Sequence, residues 1–408
     1  MRLWRGCLIL ILCSLAWPRQ AGQARGLEPT VTLLVQPRAA AAASALTLEL
    51  PADARDVTVP ELAKLGWRAV RVPATAAADL QAEWSRSPAV AAVQRAQPVQ
   101  ALGWPDDPGW GQQYGPAAIQ APQAWGMVTG SISVTLAVID SGIDLVHPDL
   151  ADRLVPGLTL VAGTATAQDD NGHGTHVAGI AAADGGNAIG IAGINWGARL
   201  MPVKVLDSRG QGDDADVAAG IVWAVDHGAD VINLSLGGPC PSPVMELAVT
   251  YAYTMGVTVV AAAGNSGGPG VLCPAAFPTV IAVAATTADN TRASFSTYGP
   301  EVDLAAPGAV IYSTLWTPAG SGYGYKSGTS MAAPHVAGVA ALLAGQPEFD
   351  SPDKIREALE ATALDLGSLC RDSYYGAGLV QAYAALQYNT SGTSPAQCFF
   401  YYFPVFGR

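Results

Sequence analysis

The stretch SVTLAVID, residues 133 to 140, is a β-branched apolar run that ends in an aspartate. Four later runs have the same form: ARLMPVKVLD (198–207), ADVINLSLG (229–237), GVTVVAAAGN (256–265) and VIAVAAT (280–286). A run that is apolar throughout is typical of a parallel strand covered on both faces, whereas a half-exposed strand alternates. These runs therefore predict a mostly parallel sheet with helices on both faces.

Helical stretches separate several of these strands, which is the pattern of a doubly wound α/β fold. We predict helices at 173–183, 213–227, 242–255, about 330–345 and 352–363. Ligands of such folds bind beyond the carboxyl ends of the strands. Asp140, Asn233 and Asn265 lie at or near such ends, so we expect functional side chains there.

The first residues predict export from the cell. Arg2 and Arg5 precede an apolar run at 7–16, and small residues follow up to Ala24. This pattern is typical of a signal peptide, here residues 1–24. The run is shorter than the roughly 20 residues that span a membrane, so we expect a secreted protein with no transmembrane anchor after signal removal.

Residues 25–100 predict a small α+β unit. Its strands are expected at 30–36, 67–73 and 90–99, with helices at 60–66 and 76–86. The stretch GWPDDPGWGQQYGP (103–116) then interrupts the pattern with Pro, Gly and Asp, which is typical of a linker.

Charge is distributed unevenly along the chain. Residues 1–100 carry a net charge of +4, and the remainder carries −16. Binding to nucleic acid depends on Lys and Arg that neutralise phosphates, so we expect none here. An acidic domain suits hard cations such as calcium.

Four cysteines lie beyond the predicted signal: Cys240, Cys273, Cys370 and Cys398. In an oxidising compartment an even number predicts two disulfides, for which three pairings are possible. Closeness in sequence favours Cys240–Cys273 and Cys370–Cys398.

Ser330, in GTSMAAPHVAG (328–338), lies at the predicted start of a long helix, where backbone N–H groups are unpaired. Alone, such a serine would be read as a helix cap. A serine nucleophile also needs a base, a carboxylate that orients the base, and donors for an oxyanion. Asp140, His173 in NGHGTHVAGI (171–180) and Asn265 supply these groups.

In this order, Asp, His and then Ser, the segments resemble the subtilisin-like serine proteases, and DDPGWGQQYGPAAIQAPQAW resembles their thermitase-like secreted bacterial members. The resemblance covers about residues 105–388. It implies a subtilisin-like fold with a signal peptide (1–24), an inhibitory and chaperone propeptide (25–100), a catalytic domain (101–388) and an aromatic C-terminal tail (389–408).

The resemblance implies a monomeric serine endopeptidase that matures by autoprocessing and binds protein and peptide substrates and its own propeptide. Ser330 would form the acyl-enzyme, His173 would be the base, Asp140 would orient it, and Asn265 would bind the oxyanion. The alternative from another class is a catalytically silent relative that binds peptides or a cell surface.

His173 and His176 lie three positions apart, so a zinc site with Asp140 is a second interpretation. A helical zinc motif normally reads His-Glu-x-x-His, whereas Gly174 and Thr175 intervene here. The resemblance implies that His176 is structural.

The resemblance also implies how substrate binds. A peptide would add as a strand beside Ser235, Leu236, Gly237 and Gly238. A second wall of the first specificity pocket would consist of Ala262, Ala263 and Gly264. Walls of alanine and glycine predict a roomy slot, and therefore broad cleavage after large apolar or aromatic residues.

Structural calcium is the implied cofactor. Its ligands would be Asp107, Asp149, the Asn187 side chain and the carbonyls of Ile189 and Ile191, in and around the loop GNAIGIAG (186–193). Oxygen ligands alone suit calcium and not zinc. The alternative is a plain turn beside a surface aspartate.

Overall fold

The computed structural model describes residues 30–38, 54–96 and 105–389. The chain divides into two compact units, residues 1–100 and 101–408. The predicted signal peptide, Cys398 and the tail beyond Asn389 lie outside the described residues.

The first unit is an antiparallel sheet with two helices, an α+β arrangement as predicted. Its elements are β1 (Thr30–Pro37), β2 (Arg55–Asp56), α1 (Pro60–Lys64), β3 (Arg68–Pro73), α2 (Ala77–Arg86) and β4 (Val90–Arg95). The strand order is β2-β3-β1-β4. Trp84 of α2 is buried together with Leu33 and Val72 of the sheet, so the unit has its own core.

The second unit is larger and contains the remaining elements. In chain order they are α3 (Gly115–Ala118), α4 (Ala121–Trp125), β5 (Thr135–Asp140), β6 (Leu158–Thr159), α5 (His173–Ala182), β7 (Arg199–Lys204), α6 (Asp214–Asp226), β8 (Val231–Leu234), α7 (Pro243–Thr254), β9 (Thr258–Ala262), β10 (Val280–Thr286), β11 (Leu304–Pro307), β12 (Ile311–Thr317), β13 (Gly320–Lys326), α8 (Thr329–Ala344), α9 (Pro352–Ala361) and α10 (Ala382–Leu386).

Seven strands of this unit form one parallel sheet, in the order β11-β10-β9-β8-β5-β7-β6. Successive residues of β5 face opposite sides. Leu136 and Val138 pack in one apolar core with α5 and α8. Ala137 and Ile139 pack in a second core with α6 and α7. The predicted doubly wound sheet with helices on both faces is confirmed.

The sheet brings three predicted site residues to one edge. Asp140 ends β5, Ser235 directly follows β8, and Asn265 lies shortly after β9. These strands are neighbours in the order β9-β8-β5. Because the carboxyl ends of neighbouring parallel strands meet at one edge, residues separate in sequence become close in space.

The predicted linker at 103–116 is wrong for residues 105–116, the described part of it. The Gly109 N–H donates to the Gly190 carbonyl at 2.6 Å. The Gln113 side chain donates to the Ala192 carbonyl and accepts from its N–H, both at 2.9 Å. A short 3-10 helix forms at Trp110–Gln112 and α3 begins at Gly115, and the hydrogen bonds make the segment part of the second unit.

Cys240 and Cys273 form a disulfide, as predicted, with their Cα atoms 5.3 Å apart. Cys370 is also disulfide-bonded, and its predicted partner Cys398 lies outside the described residues. No helix in the described ranges combines the length and the apolar character that a membrane span requires.

Candidate active site

Asp140 and His173 meet at the carboxyl edge of the sheet. Asp140 is completely buried, and its Oδ1 lies 2.7 Å from Nδ1 of His173, the first residue of α5. The same oxygen accepts the Ser141 N–H at 2.7 Å. The carboxylate thus fixes the imidazole through Nδ1 and leaves Nε2 on the far side of the ring.

The start of α5 is held by Asp169. Its Oδ1 accepts from the Gly172 N–H and from the Ser141 hydroxyl, both at 2.9 Å. Its Oδ2 accepts from the Thr175 N–H at 3.0 Å and from the Thr175 hydroxyl at 2.6 Å. Gly172 has a φ of +87°, which glycine adopts without strain. This network joins the helix to the end of β5 and so positions His173.

Two opposing effects act on the pKa of His173. Burial lowers it, because the charged imidazolium loses solvation, while the negative charge and hydrogen bond of Asp140 raise it. The net result is a raised pKa. The carboxylate therefore makes this imidazole a stronger base than burial alone would allow.

Ser330 is the second residue of α8. Its hydroxyl donates to the Ser235 carbonyl at 3.1 Å, and the Ser235 hydroxyl donates to the Ser330 carbonyl at 2.8 Å. Helix α8 packs tightly on α5, since a Cβ added to Gly338 would lie 2.8 Å from the Ala181 carbonyl. Both helices begin at this edge of the sheet, so Ser330 and His173 stand at neighbouring helix starts.

Asn265 places an amide donor beside the serine. Its Oδ1 accepts from the Thr329 N–H at 2.8 Å and from the Thr329 hydroxyl at 3.1 Å, which leaves Nδ2 to donate. A Cβ added to Gly328 would lie 3.4 Å from Nδ2 and 3.6 Å from the Ser330 backbone nitrogen. Two N–H donors thus border one small space, the arrangement that stabilises an oxyanion.

A cleft of about 810 Å³ extends from His173. The four residues predicted to pair with a peptide line it: Ser235, Leu236, Gly237 and Gly238. Residues 209–214 form another side. Ala262, Ala263 and Gly264, the second predicted wall, are buried at the end of β9 and do not border this cleft.

Most of the predicted calcium ligands come together around the loop 186–191. Asp149 Oδ1 accepts from the Asn187 amide at 3.2 Å, and Asp149 Oδ2 accepts from the Ile191 N–H at 2.8 Å. Asp107 Oδ2 accepts from the Gly186 N–H at 2.8 Å. Burial raises the pKa of both carboxyl groups. Ile189, on the same loop, has an exposed side chain.

His176 is buried inside the fold. Its Nε2 lies 3.1 Å from the carbonyl oxygens of Ile311 and Gly324, and burial lowers its pKa to about 3. Within the described ranges no three His, Cys, Asp or Glu side chains are grouped as metal ligands. The zinc interpretation therefore has no ligand set in the described chain, and His176 is a neutral structural side chain.

Lys204 is a buried residue near the site that was not predicted from the sequence. It is 0% exposed at the end of β7, and its Nζ donates to the Ser141 carbonyl at 2.7 Å, the Leu206 carbonyl at 2.9 Å and Asp170 at 2.7 Å. The signal in the sequence is one charged residue inside the apolar run MPVKVL (201–206). A lysine is rarely fully buried without partners, so its position alone indicates a polar network.

The family model described as "Subtilase family" matches residues 131–378. This chain belongs to the subtilase family. It is similar to thermitase of Thermoactinomyces vulgaris, with 49% identity over 285 residues, which is 70% of this chain and 99% of that protein. It is also similar to subtilisin Savinase of Lederbergia lenta, with 47% identity over 273 residues, 67% of this chain and 97% of that protein.

A solved structure supports the same fold. It is that of a protease from Pseudoalteromonas arctica PAMC 21717, with a TM-score of 0.65 and 34% identity, and the match covers 69% of the subtilase and 98% of that chain. The subtilase is therefore a serine endopeptidase with the α/β fold that the sequence predicts.

Proposed function

We propose that this subtilase is a secreted endopeptidase, made as a precursor, that cleaves peptide bonds with Asp140, His173 and Ser330. The observation that carries the proposal is the 2.7 Å contact between Asp140 and His173, at the sheet edge where α8 begins with Ser330. The raised pKa of His173 supports the role of general base.

The first step is acylation of the serine. A rotation about the Cα–Cβ bond of Ser330 turns its hydroxyl from the Ser235 carbonyl toward Nε2 of His173. His173 takes the proton as Oγ attacks the peptide carbonyl, and Asp140 stabilises the imidazolium that forms. His173 then gives the proton to the leaving amine, and water hydrolyses the acyl-enzyme by the same route.

The negative oxygen of the tetrahedral intermediate is bound by the Asn265 amide and the Ser330 backbone N–H. Both donors border one space beside the serine, as the distances at Gly328 indicate. In subtilisin, one such side-chain donor contributes about 3 to 4 kcal/mol to lowering the barrier. We assign the same role to Asn265.

Substrate binding uses main-chain pairing. An extended peptide adds beside Ser235–Gly238, where the chain has left β8 and borders the open cleft. The residue before the scissile bond enters between this segment and Ala262–Gly264. Both segments carry no charge, so the slot favours an uncharged, apolar side chain.

Secretion and maturation complete the proposal. Residues 1–24 act as the signal peptide, and residues 25–100 act as a propeptide that inhibits the enzyme and assists its folding. A parallel sheet consists of non-local strand pairings and therefore folds slowly. A propeptide that assists folding would speed this step. The mature enzyme arises from a cut between Gln97 and Trp104, a segment that lies outside the described residues.

Calcium fits the loop at 186–191. Asp107 Oδ1 is buried without a hydrogen-bond partner in the described chain, and Asp149 is buried as well. A divalent cation would offset the cost of burying both carboxylates. Asp107, Asp149, Asn187 and the carbonyls of Ile189 and Ile191 would hold it, and the ion would stabilise the fold without entering the chemistry.

Removing calcium is expected to lower the thermal unfolding temperature by roughly 5–10 °C, because a ligand bound only to the folded state adds a few kcal/mol of stability. Calorimetry on the Ser330→Ala protein, with and without a chelator, measures this without self-digestion. Added calcium should restore the transition. In Asp149→Asn the chelator effect should shrink, whereas the exposed control Asp226→Asn should retain it. An unfolding temperature that ignores the chelator would refute the site.

The test of the proposed function is covalent labelling. A fluorophosphonate should react with Ser330 in the mature enzyme and stop cleavage of denatured casein, because only an activated serine attacks this reagent rapidly. Peptide mapping of the adduct should place it on Ser330. A protein that cleaves casein with Ser330 unlabelled would exclude the assigned nucleophile.

A further inference from the structure

Residues 271–273 lie between the two walls of the proposed specificity slot. The Leu272 N–H donates to the Ala263 carbonyl at 3.1 Å. Cys273 exchanges two hydrogen bonds with Gly238: its N–H donates at 3.1 Å and its carbonyl accepts at 2.9 Å. The segment is therefore bound to both walls at once.

The side chain of Leu272 extends from one wall to the other. A Cβ added to Gly237 would lie 3.0 Å from Leu272 Cβ, and a Cβ added to Gly264 would lie 3.0 Å from Leu272 Cγ and Cδ1. A side chain at either glycine would crowd the leucine, which therefore occupies part of the space between the two walls.

A covalent bond keeps the leucine in place. The Cys240–Cys273 disulfide joins the residue after Leu272 to the chain just beyond Gly238. The neighbour on the other side, Val271, is buried at 7% exposure. With both neighbours anchored, the backbone at Leu272 is not free to withdraw from the slot when a large side chain arrives.

We propose that Leu272 is a specificity-determining residue that shortens the slot, held there by the Cys240–Cys273 disulfide. The subtilase then prefers a small uncharged residue, such as alanine, before the scissile bond over a large one such as phenylalanine. The inference deepens the proposed function and rests on it. It replaces the roomy slot that the walls of alanine and glycine predict.

The test compares two peptide substrates that differ only in alanine or phenylalanine before the scissile bond. For the wild-type enzyme, kcat/KM should be at least about tenfold higher with alanine, since one methylene in a tight pocket changes it about 10–200-fold. Leu272→Gly should raise kcat/KM for phenylalanine at least about tenfold. Leu247→Ala, an exposed leucine on α7 with 73% exposure, is the matched control and should keep the wild-type ratio.

A wild-type preference for phenylalanine, or a ratio that Leu272→Gly leaves unchanged, would overturn the role of Leu272. If Leu272→Gly fails to fold, the ratio of kcat/KM for alanine and phenylalanine in Leu272→Ala and in the wild type still tests the role of Leu272. Fluorophosphonate labelling in parallel distinguishes failure of the proposed function from failure of the Leu272 proposal. An unreactive Ser330 would refute the proposed protease mechanism. A reactive Ser330 with the wrong preference before the scissile bond would refute only the role of Leu272. The double variant Cys240→Ala/Cys273→Ala should gain activity on phenylalanine; an unchanged ratio would remove the disulfide from the proposal.

Discussion

Replacing Ser330 with alanine is expected to lower kcat by about 10⁶, as loss of the nucleophile does in subtilisin. In the proposed mechanism the hydroxyl forms the covalent intermediate, so the oxyanion donors at Asn265 cannot compensate for its absence. Some catalysis over water should remain, because oxyanion binding and substrate positioning do not need the hydroxyl. Hydrolysis of a fluorogenic peptide, with active sites counted by titration in the wild type, measures the loss.

The same variant tests maturation. If the enzyme removes its own propeptide, purified Ser330→Ala precursor should remain uncut, whereas wild type is processed. Ser368→Ala, an exposed serine in the segment between α9 and α10, is the control and should process and cleave normally. A Ser330→Ala precursor that matures when purified alone would rule out self-processing, and one that hydrolyses peptide at the wild-type rate would rule out Ser330 as the nucleophile.

Replacing Asp140 with asparagine is the second change with a large expected effect, a loss of about 10⁴ in kcat. Asparagine keeps the shape of the buried side chain but removes its charge. The imidazole of His173 then loses the partner that orients it and stabilises its charged form. KM should change much less than kcat, because Asp140 is buried behind His173 and does not itself line the cleft.

The pH profile separates this role from a merely structural one. The proposed mechanism requires neutral His173, so kcat/KM should fall as the pH drops through the raised pKa of that group, above the ordinary value of about 6.5. In Asp140→Asn, burial still lowers the pKa but the carboxylate no longer raises it. The acidic limb should therefore move to lower pH. Asp350→Asn, a surface aspartate paired with Lys354, should leave the limb in place; an unmoved limb in Asp140→Asn would contradict the assigned pair.

The long elements were predictable because their periodicity is strong. Helix α8 at Thr329–Ala344 lies within one residue of the predicted 330–345. The predicted strand at 229–237, in contrast, ends at Leu234. The continuing apolar pattern through Leu236 reflects packing at the cleft and not pairing in the sheet. The hairpin β12–β13 escaped prediction because β13 has glycine at alternate positions, 320, 322 and 324.

The sequence indicates those candidate site residues whose type carries their chemistry, but not the features that a contact between distant segments defines. Asp140 and His173 could be chosen from sequence because their segments resemble those of subtilisin-like proteases, and the structure places the two side chains 2.7 Å apart. The depth of the slot could not be predicted from the sequence, because nothing distinguishes Leu272 from an ordinary apolar residue. It lies eight positions before Val280, the start of β10. Its position between the walls follows only from its own hydrogen bond to Ala263 and from those of the next residue, Cys273, to Gly238.

The bonds from residues 105–113 to the loop at 186–192 limit how far the mature N terminus can be trimmed. A protease that shortened the chain past Asp107 would remove the carboxylate that accepts the Gly186 N–H. Loss of Gly109 would also leave the Gly190 carbonyl without the hydrogen bond from the Gly109 N–H. Trimming by other proteases would thus begin to destabilise the catalytic unit at residues 107–109, long before any cut reached the sheet.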